Sequence, residues 1–335
     1  MAGDAFHLTV ETACAYLRDT GRLPDGEPCT AAALGGGVSN EVVLVESPAG
    51  RWVLKQALPR LRVAAEWLAD AGRSEVEARC LEALRPLLPA GAVPPLLFTD
   101  PERHILAMGA APTEARNLKH VLLGGEVDHA AVAMAGTMLG AIQAGTRGRA
   151  DVEADFGDLL PFRQLRIDPY YLTAAARNAD VAAVVLESAR EVACRKQCLV
   201  HGDYSPKNML INGGCVMLLD FEVAHWGCRA FDPAFFLTHL ALKCIHLPRR
   251  AREFASAALG FWAAYLAAAA WPDGAAIEAE AVVHWGCLLL ARVDGKSPAE
   301  YIRSEGAKQA VRTLATAVLE GRLQTIDAVL NAVNG

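Results

Sequence analysis

The sequence predicts an α+β fold in two lobes, a β-rich amino-terminal lobe and a mainly helical carboxyl-terminal lobe. The chain has 335 residues, more than one small hydrophobic core usually organises. Short apolar runs separated by turn signals dominate up to residue 108 and are typical of strands. Apolar residues at helical spacing dominate from residue 117 onward. We therefore place the lobes at residues 1–108 and 117–335, joined by a linker of small residues at 109–116.

The composition excludes several classes of function. Hydrophobic residues make up 53% of the chain and charged residues 21%, values close to those of ordinary globular proteins. Because the net charge is −6 and no run of Lys or Arg occurs, we expect no nucleic-acid partner. The uncharged stretch 255–271 is shorter than the roughly 20 strongly apolar residues that cross a membrane. We predict a buried helix there and no membrane partner.

Cysteine usage and the amino terminus predict the cellular compartment. The nine cysteines include no Cys-x-x-Cys pair, so we expect neither a zinc framework nor a secreted disulfide scaffold. Residues 1–10 lack a basic region followed by an apolar one, so no signal peptide is predicted. The predicted location is therefore the cytoplasm.

Two polar segments follow neighbouring strands in the carboxyl-terminal lobe. Residues 201–208 begin directly after the apolar run Cys198-Leu199-Val200. Asn212-Gly213-Gly214 then separates two further apolar runs, which is a hairpin signal. Asp220-Phe221-Glu222 follows the second of these runs. The loop 201–208 and Asp220 are therefore expected at adjacent strand ends.

The side chains of these two segments match the needs of phosphoryl transfer. That reaction needs a carboxylate that orients the attacking hydroxyl and accepts its proton, and oxygen ligands that hold Mg²⁺ against the phosphates. Asp203 fits the first role, and Asn208 and Asp220 fit the second. The alternative is that these residues only cap turns, as Asp and Asn in loops commonly do. The apolar strands on both sides favour the site.

A similar tripeptide earlier in the chain competes for the metal role. Asp155-Phe156-Gly157 spells the metal-binding motif of protein kinases. It precedes the catalytic loop, however, and no hairpin strand leads into it. We therefore interpret it as a helix start or a turn and assign Mg²⁺ to Asp220.

A glycine-rich turn between two strands marks the amino-terminal lobe. Such a turn lets backbone N–H groups approach phosphates closely. The candidate nucleotide-binding residues in this turn are Gly35, Gly36, Gly37, Ser39 and Asn40. A plain hairpin turn is the alternative. Lys55 lies on the next hairpin strand beside apolar neighbours, which favours a lysine that faces a cleft over an exposed strand lysine.

These motifs, in this order, resemble the aminoglycoside phosphotransferase and choline kinase group of the protein-kinase-like superfamily. The resemblance rests on His-Gly-Asp-x-x-x-x-Asn at residues 201–208 and on Asp220-Phe221-Glu222 after the hairpin. The glutamate of the second motif is also similar to methylthioribose kinase. The resemblance implies a protein-kinase-like fold and transfer of the γ-phosphoryl group of ATP, with Mg²⁺, to a hydroxyl of a small molecule.

The resemblance also implies roles for residues outside the two motifs. Lys55 would hold the α- and β-phosphates and pair with Glu77, which lies in the amphipathic pattern 73–88. The backbone near Met108 would meet adenine, and Gly109 stands where the family often has a glutamate. The residues expected to support the catalytic loop are His201 and Asp232.

Several polar residues near these segments are candidate acceptor contacts. Residues 165–171 lie between the linker and the catalytic loop, where small-molecule kinases build their acceptor site, and a polar break follows the apolar helix near residue 291. Glu222 adds a third carboxylate that could reach metal or acceptor. The candidates are Glu222, Arg166, Tyr170, Arg292 and Asp294. The alternative interpretation is that the aromatic residue packs and the charges form solvated helix caps.

The acceptor is predicted only as a class. An aminoglycoside- or sugar-like alcohol is the leading class. A choline or amino-alcohol acceptor is the alternative, which the aromatic content of 7% disfavours because it would call for an aromatic box. A nucleotide-binding pseudoenzyme with a regulatory role is the rival, and the presence of Asp203 speaks against it. The identity of the acceptor, the choice between ATP and GTP, and the oligomeric state stay open.

Overall fold

The structure, a computed structural model, describes residues 6–35, 38–62 and 67–334. An antiparallel sheet dominates the amino-terminal part and helices dominate the carboxyl-terminal part. This arrangement confirms the predicted α+β class with two lobes. The strands are β1 (Thr30–Ala33), β2 (Asn40–Ser47), β3 (Gly50–Ala57), β4 (Leu96–Asp100), β5 (Ile105–Gly109), β6 (Arg116–Asn117), β7 (Cys198–Val200), β8 (Met209–Asn212), β9 (Cys215–Leu218) and β10 (His225–Gly227).

Within the described residues, two α-helices precede the linker and the others follow it. The helices are α1 (Val10–Asp19), α2 (Arg73–Leu84), α3 (Leu118–Leu123), α4 (His129–Thr146), α5 (Ala150–Phe156), α6 (Leu160–Phe162), α7 (Thr173–Arg177), α8 (Ala182–Cys194), α9 (Phe231–His246), α10 (Ala251–Ala269), α11 (Gly274–Asp294), α12 (Glu305–Leu319) and α13 (Ile326–Asn334). A π-helix, Arg163–Leu172, links α6 to α7.

The amino-terminal sheet places β3 at its centre. Its strand order is β1-β2-β3-β5-β4, and every neighbouring pair is antiparallel. Helix α1 packs against β1 and β2, and a core that includes Leu17, Leu54 and Ile105 fills the space beneath it. Lys55 on β3 is only 7% exposed. The sheet therefore presents this lysine toward the rest of the protein rather than toward solvent.

Helices α4 and α10 pack closely through small residues. A Cβ on Gly136 would lie 2.3 Å from the Phe261 carbonyl oxygen, and one on Gly140 would lie 2.6 Å from the Ala268 Cβ. Protein interiors do not tolerate contacts that short, so glycine on α4 is required for the two backbones to approach. The apolar stretch 255–271 lies largely in α10, which confirms the predicted buried helix.

Helix α11 is the described helix whose length and composition would suit a membrane span. In its most apolar window, 61% of the residues are buried inside the protein, and it packs against α9 and α12. Core helices of globular proteins are apolar all round in the same way. The composition of α11 is therefore weak support for a membrane location.

One pair of cysteines is bonded. Cys14 in α1 and Cys29 before β1 form a disulfide. No spacing motif marks this pair, because the two residues are 15 apart in the chain. Small secreted domains use a scaffold of several disulfides, and one bridge is not such a scaffold. The bridge therefore does not contradict the prediction that the chain lacks a secreted disulfide scaffold. Disulfides are nevertheless rare in the cytoplasm, and this bridge argues against the predicted location.

The tripeptide Asp155-Phe156-Gly157 lies at the end of helix α5. Phe156 is the last residue of the helix and is buried, whereas Asp155 is exposed. The interpretation as a helix start was therefore wrong, because Gly157 follows the helix as its C-cap residue. Helix α5, not a hairpin strand, leads into this segment. This agrees with the reason for assigning Mg²⁺ to Asp220 and not to Asp155.

Residues 110–115, which contain no helix or strand, connect the lobes. Strand β6, which follows, pairs with β8 of the carboxyl-terminal lobe, so the chain has changed lobes by Arg116. We propose the lobe boundaries 1–108, 109–116 and 117–335 on this basis. At the start of the linker, a Cβ on Gly109 would lie 2.7 Å from Cγ of Pro95. This crowding explains why a glutamate does not fit at Gly109.

Candidate active site

The loop after β7 is fixed by Asp232 in the first turn of helix α9. Its carboxylate accepts hydrogen bonds from the backbone N–H groups of His201 at 2.7 Å and Gly202 at 2.9 Å. Gly202 has a φ of 78°, and a Cβ there would lie 2.7 Å from the Val223 carbonyl oxygen, so only glycine fits. These contacts support the predicted role of Asp232 as the brace of this loop.

His201 holds the same loop through both ring nitrogens. Its Nδ1 accepts a hydrogen bond from the Asp203 backbone N–H at 3.1 Å. Its Nε2 therefore carries the proton and donates to the Leu219 carbonyl oxygen at 3.1 Å. Burial lowers the pKa of His201 to about 4. A neutral imidazole with both nitrogens occupied positions the loop and is not free to accept a proton from a substrate, which supports the predicted role.

Asp203 presents a carboxylate between two cations. Its Oδ2 lies 2.9 Å from Arg166 Nη2 and 3.2 Å from Lys207 Nζ, whereas no side chain in the described ranges bonds to its Oδ1. Burial alone would raise the pKa of Asp203, but Arg166 and Lys207 outweigh burial and lower it below its ordinary value. Asp203 is therefore charged at neutral pH and has one oxygen available to accept a proton.

Asn208 and Asp220 lie side by side because β8 and β9 are paired. Met209 is opposite Leu218, and beyond this pair the Leu219 N–H donates to the Asn208 carbonyl oxygen at 2.9 Å. The Asn208 amide nitrogen donates to the Asp203 backbone carbonyl at 3.0 Å, which leaves Oδ1 as an acceptor. Asp220 has a φ of 68°, a conformation that costs a non-glycine residue about 1–3 kcal/mol and recurs at functional sites.

These two side chains suit Mg²⁺ by their chemistry. Carboxylate and amide oxygens are donors that Mg²⁺ prefers, and the ion usually takes water and substrate phosphate oxygens as its remaining ligands. Within the residues that the structure describes, no three His, Cys, Asp or Glu side chains form a group that could hold a metal. One carboxylate and one amide therefore suit a Mg²⁺ ion that takes its other ligands from water and from the phosphates of a nucleotide. Asn208 and Asp220 stay the predicted protein ligands.

Lys55 pairs with one carboxylate from each lobe. Its Nζ lies 2.5 Å from Glu77 Oε2 and also contacts Asp220 Oδ1. Burial alone would lower the pKa of Lys55, but Asp220 and Glu77 outweigh burial and raise it, so the ammonium group stays charged. The structure thus brings Lys55 and Glu77 together as the resemblance implies. Their role toward phosphates stays a prediction.

Glu222 connects the glycine-rich turn to helix α2. Ser39 Oγ donates to Glu222 Oε1 at 2.7 Å, and Asn40 Nδ2 donates to Oε2 at 2.9 Å. Arg73 Nε donates to the same Oε2 at 2.9 Å. Ser39 and Asn40, predicted to contact phosphate, are therefore bound to a carboxylate in this structure. Glu222 thus belongs to a network that ties the two lobes, and its contact with metal or acceptor stays a prediction.

Arg73 is a site residue that the sequence pattern did not reveal. Its side chain is completely buried, and it donates to the carbonyl oxygens of Ser39 at 2.5 Å, Leu58 at 2.9 Å and Asp70 at 2.6 Å. The one available signal was that Arg73 precedes Glu77 by one helical turn and so shares its face. That signal is weak, because an arginine in the first turn of a helix is usually solvated.

The structure describes one of the three glycines predicted to approach phosphates. Gly35 is exposed, and a Cβ on it would meet nothing within 4 Å. Leu34 still donates its N–H to the Val42 carbonyl oxygen at 2.9 Å, so the chain leaves the sheet only after this point. Gly36 and Gly37 lie outside the described residues, and their contact with phosphates stays a prediction.

The linker backbone next to Met108 is partly occupied. Met108 is buried and is the residue from which the adenine contact is predicted. The N–H of Gly109 donates to the Pro95 carbonyl oxygen at 2.9 Å, and the N–H of Ala110 donates to the Arg51 carbonyl oxygen at 3.1 Å. These two donors are therefore already used. An adenine contact would fall to other backbone groups of this segment.

Three of the predicted acceptor residues form a connected row. The Arg166 guanidinium carbon lies 5.5 Å from the centre of the Tyr170 ring, and Arg292 Nη1 lies 3.3 Å from the Tyr170 hydroxyl. Asp294 is separate, since its carboxylate lies 2.7 Å from Arg312 Nη2. Residues two apart on a helix point to different sides, so the structure does not bring Asp294 together with the other three.

A family profile agrees with this geometry. The profile of the phosphotransferase enzyme family, abbreviated APH, matches residues 30–277. This span includes the glycine-rich turn, Lys55, the loop of Asp203 and Asp220. The chain belongs to this family. Membership in the APH family confirms the resemblance to phosphotransferases that the two carboxyl-terminal motifs indicate.

Curated relatives of this APH protein include two kinases from rice. Methylthioribose kinase 2 of Oryza sativa subsp. japonica is 26% identical over 250 residues, which cover 66% of this chain and 58% of the rice protein. Methylthioribose kinase 1 of the same organism is 27% identical over 241 residues, which cover 64% of this chain and 56% of the relative. The chain thus spans less than two thirds of the length of these relatives.

Solved structures share the fold of this APH protein at low identity. A choline/ethanolamine kinase family protein from Mesorhizobium loti superposes with a TM-score of 0.56 and 16% identity, covering 96% of this chain and 99% of that one. The streptomycin-ATP-APH(2'')-IIa ternary complex has a TM-score of 0.51 and 13% identity, covering 97% and 99%. These matches confirm the predicted protein-kinase-like fold class.

Proposed function

We propose that this APH-family protein is an ATP-dependent small-molecule kinase that phosphorylates a hydroxyl of an aminoglycoside- or sugar-like acceptor. The observation that carries this proposal is the placement of a charged Asp203, with Oδ1 available, on the loop that ends beside Asp220 and Lys55. A complex with ATP and streptomycin in one structural relative supports ATP as the donor. Two methylthioribose kinases among the relatives support a sugar-like acceptor.

The reaction assigns a distinct task to Asp203. The acceptor hydroxyl oxygen forms a bond to the γ-phosphorus of ATP, the bond between that phosphorus and the β–γ bridging oxygen breaks, and ADP leaves. The hydroxyl proton passes to Asp203 Oδ1. Arg166 and Lys207 hold Oδ2, so they fix the direction in which the free oxygen points.

A second group of residues is proposed to neutralise the negative charge of the ATP phosphates. Mg²⁺, when bound, would neutralise the phosphate oxygens, and Asn208 and Asp220 would hold it. Lys55, kept charged by its two carboxylate partners, supplies a further cation for the phosphates. Glu77 positions Lys55 from helix α2.

The change Lys207→Ala tests the electrostatic part of this proposal. We expect kcat to fall by about tenfold, since hydrogen bonds to charged groups contribute roughly 1.5–3 kcal/mol and partial exposure of Lys207 reduces that value. The loss of one cation also raises the pKa of Asp203, so the decline of kcat on acidification begins at higher pH. Steady-state kinetics across pH measures both effects. Unchanged turnover would remove Lys207 from the mechanism, and Lys308→Ala on the surface is the matched control.

The proposed function itself is tested by product formation. Purified protein with ATP and Mg²⁺ is incubated with aminoglycosides, sugars and amino alcohols, and mass spectrometry reports which compound gains a phosphate. We expect one class to be phosphorylated by the natural protein and not by Asp203→Ala. Binding of ATP with Mg²⁺ in the absence of any phosphorylated compound would instead favour a regulatory pseudoenzyme.

The remaining expectations concern location and partners. We propose that the protein acts in the cytoplasm without a nucleic-acid or membrane partner, as the composition predicts. The Cys14–Cys29 bridge is the observation that opposes the cytoplasmic location. Separation of the extracted protein under non-reducing conditions, after thiols are blocked, measures whether this bridge exists in cells.

A further inference from the structure

We infer that the acceptor carries an anionic oxygen group, a carboxylate or a phosphate, in addition to the hydroxyl that it presents to Asp203. This inference rests on the proposed kinase function and narrows its substrate class. It depends on a cluster of cationic side chains that begins at Asp203 and continues into the carboxyl-terminal lobe. We call this group the acceptor-side cluster, and its members are Lys119, Arg166, Lys207, Lys243 and Arg292.

The first part of the acceptor-side cluster is continuous with the catalytic carboxylate. Arg166 contacts Asp203 and lies next to the Tyr170 ring. Arg292 reaches the hydroxyl of the same tyrosine. The Tyr170 side chain thus lies between Arg292 and the Arg166 that contacts Asp203. A small hydroxylated molecule is long enough to reach from Asp203 to Arg292.

Arg292 is buried and has no carboxylate partner among the residues that the structure describes. It is 8% exposed, and its Nη1 contacts only neutral groups, namely the Tyr170 hydroxyl and the carbonyl and hydroxyl oxygens of Ser297. Its Nε is buried and has no hydrogen-bond partner in the described part of the chain. An unpaired buried donor on a charged group is unfavourable, so Arg292 is suited to receive an anionic oxygen.

Lys243 on helix α9 repeats the same pattern. It is completely buried, and its Nζ donates to the His239 carbonyl oxygen at 3.2 Å and lies 5.5 Å from the centre of the Tyr301 ring. No described carboxylate lies within 4 Å of it. Burial, together with the positive charges of Lys119 and Arg292, lowers the pKa of Lys243 to about 7. Lys119 itself pairs with Glu300.

The acceptor-side cluster carries an excess of positive charge. Among the described residues, the carboxylates within 4 Å of these five side chains are Asp203 and Glu300. Asp220 and Glu222 act on Arg166 from a greater distance. Tyr170 reports the resulting potential, because burial alone would raise the pKa of its hydroxyl whereas Arg292 and Arg166 lower it below the ordinary value. Buried charges that lack partners are costly. A substrate anion would supply the missing partner.

The same geometry disfavours a cationic acceptor. The Arg166 guanidinium carbon lies 5.5 Å from the centre of the Tyr170 ring and 5.7 Å from that of the Phe235 ring, so Arg166 already occupies these two aromatic faces. A quaternary ammonium group would need such rings for itself. A polycationic aminoglycoside would meet like charges throughout the cluster. The sugar-like half of the predicted acceptor class is therefore the better fit.

The experiment compares acceptors that share a skeleton and differ in charge. One series is glycerol, glycerate and 3-amino-1,2-propanediol, and a second is glucose, gluconate and glucosamine. Ribose and ribose 5-phosphate extend the comparison from carboxylate to phosphate. We expect kcat/KM for an anionic member to exceed that for its neutral and cationic counterparts by at least about tenfold, the effect of one charged hydrogen bond.

Variants of the acceptor-side cluster identify the residues responsible. Arg292→Gln and Lys243→Gln are expected to raise KM for the preferred anionic acceptor about tenfold to a hundredfold while kcat changes little. KM for ATP should not change. Arg190→Gln is the matched control, because Arg190 is exposed and pairs with Glu187 on the surface. Calorimetric titration of the same compounds in the presence of ADP and Mg²⁺ gives affinities that do not depend on turnover.

The outcomes separate this inference from the proposed function. Phosphorylation of neutral or cationic members in preference to anionic ones would overturn the anionic acceptor and leave the kinase function intact. Tight binding of an anionic member without phosphorylation would support the acceptor-side cluster and contradict the kinase function. If no anionic member binds better than its neutral counterpart by calorimetry or kinetics, the inference is wrong.

Discussion

Replacement of Asp203 by Asn is expected to lower kcat by roughly 10²- to 10⁴-fold, the usual contribution of a positioned proton acceptor. The amide keeps the size of the carboxylate and still presents an oxygen to Arg166 and Lys207. It does not accept a proton at neutral pH. The affinity for ATP should be unchanged, because Asp203 lies on the acceptor side of the phosphates in the proposed arrangement.

This expectation is measured with single-turnover phosphorylation of the best acceptor and with nucleotide titration. Asp155→Asn is the matched control, since Asp155 is exposed and lies outside the site at the end of helix α5, and its loss should leave kcat unaltered. A variant Asp203→Asn that keeps more than about a tenth of the natural kcat falls outside the range for a proton acceptor. Such a result would move that role to another group.

The change Arg73→Leu is expected to produce the largest loss of stability. Arg73 is completely buried and its guanidinium pairs with Glu222, which is itself only 6% exposed. Removing Arg73 leaves the Glu222 carboxylate buried with hydrogen bonds from Ser39 and Asn40 but without its cationic partner. Loss of one partner of a buried ion pair costs about 3–5 kcal/mol. Four backbone carbonyl oxygens also lose a hydrogen bond from Arg73. Urea unfolding of the variant should therefore occur at a markedly lower midpoint.

A double-mutant cycle isolates the ion pair from the other contacts of Arg73. Glu222→Leu alone leaves the arginine buried and unpaired, whereas Arg73→Leu with Glu222→Leu removes both charges. We expect the double variant to be more stable than the sum of the two single losses predicts. Additive losses would show that Arg73 acts through the carbonyl oxygens and that its pairing with Glu222 contributes nothing measurable.

The order of the fold was predictable because it depends on local signals. The hairpin of β2 and β3 follows from apolar alternation and a turn, and the hairpin of β8 and β9 follows from Asn212-Gly213-Gly214, where both glycines have positive φ. The position of Asp220 beside Asn208 then follows from strand pairing. Lys55 and Glu77 were placed by resemblance, and the ion pair between them agrees with it.

The parts that could not be predicted depend on contacts between distant segments. Arg73 and Glu222 are 149 residues apart, so neither pattern nor spacing reveals that they meet. Lys243 is a lone cation in an apolar helix, and whether such a residue is buried is decided by tertiary packing. The π-helix that carries Arg166 and Tyr170 also has no periodicity signal, because its spacing differs from that of an α-helix.

Helix α9 limits how the acceptor selectivity of the protein can be altered by substitution. Asp232 in its first turn fixes the backbone of the catalytic loop, and Lys243 three turns later belongs to the acceptor-side cluster. Because Asp232 and Lys243 lie on the same helix, any substitution that tilts or shifts α9 displaces the catalytic loop together with part of the acceptor-side cluster. Engineering toward new alcohols is therefore best directed at residues 297–301, where shape can be varied without moving that shared support.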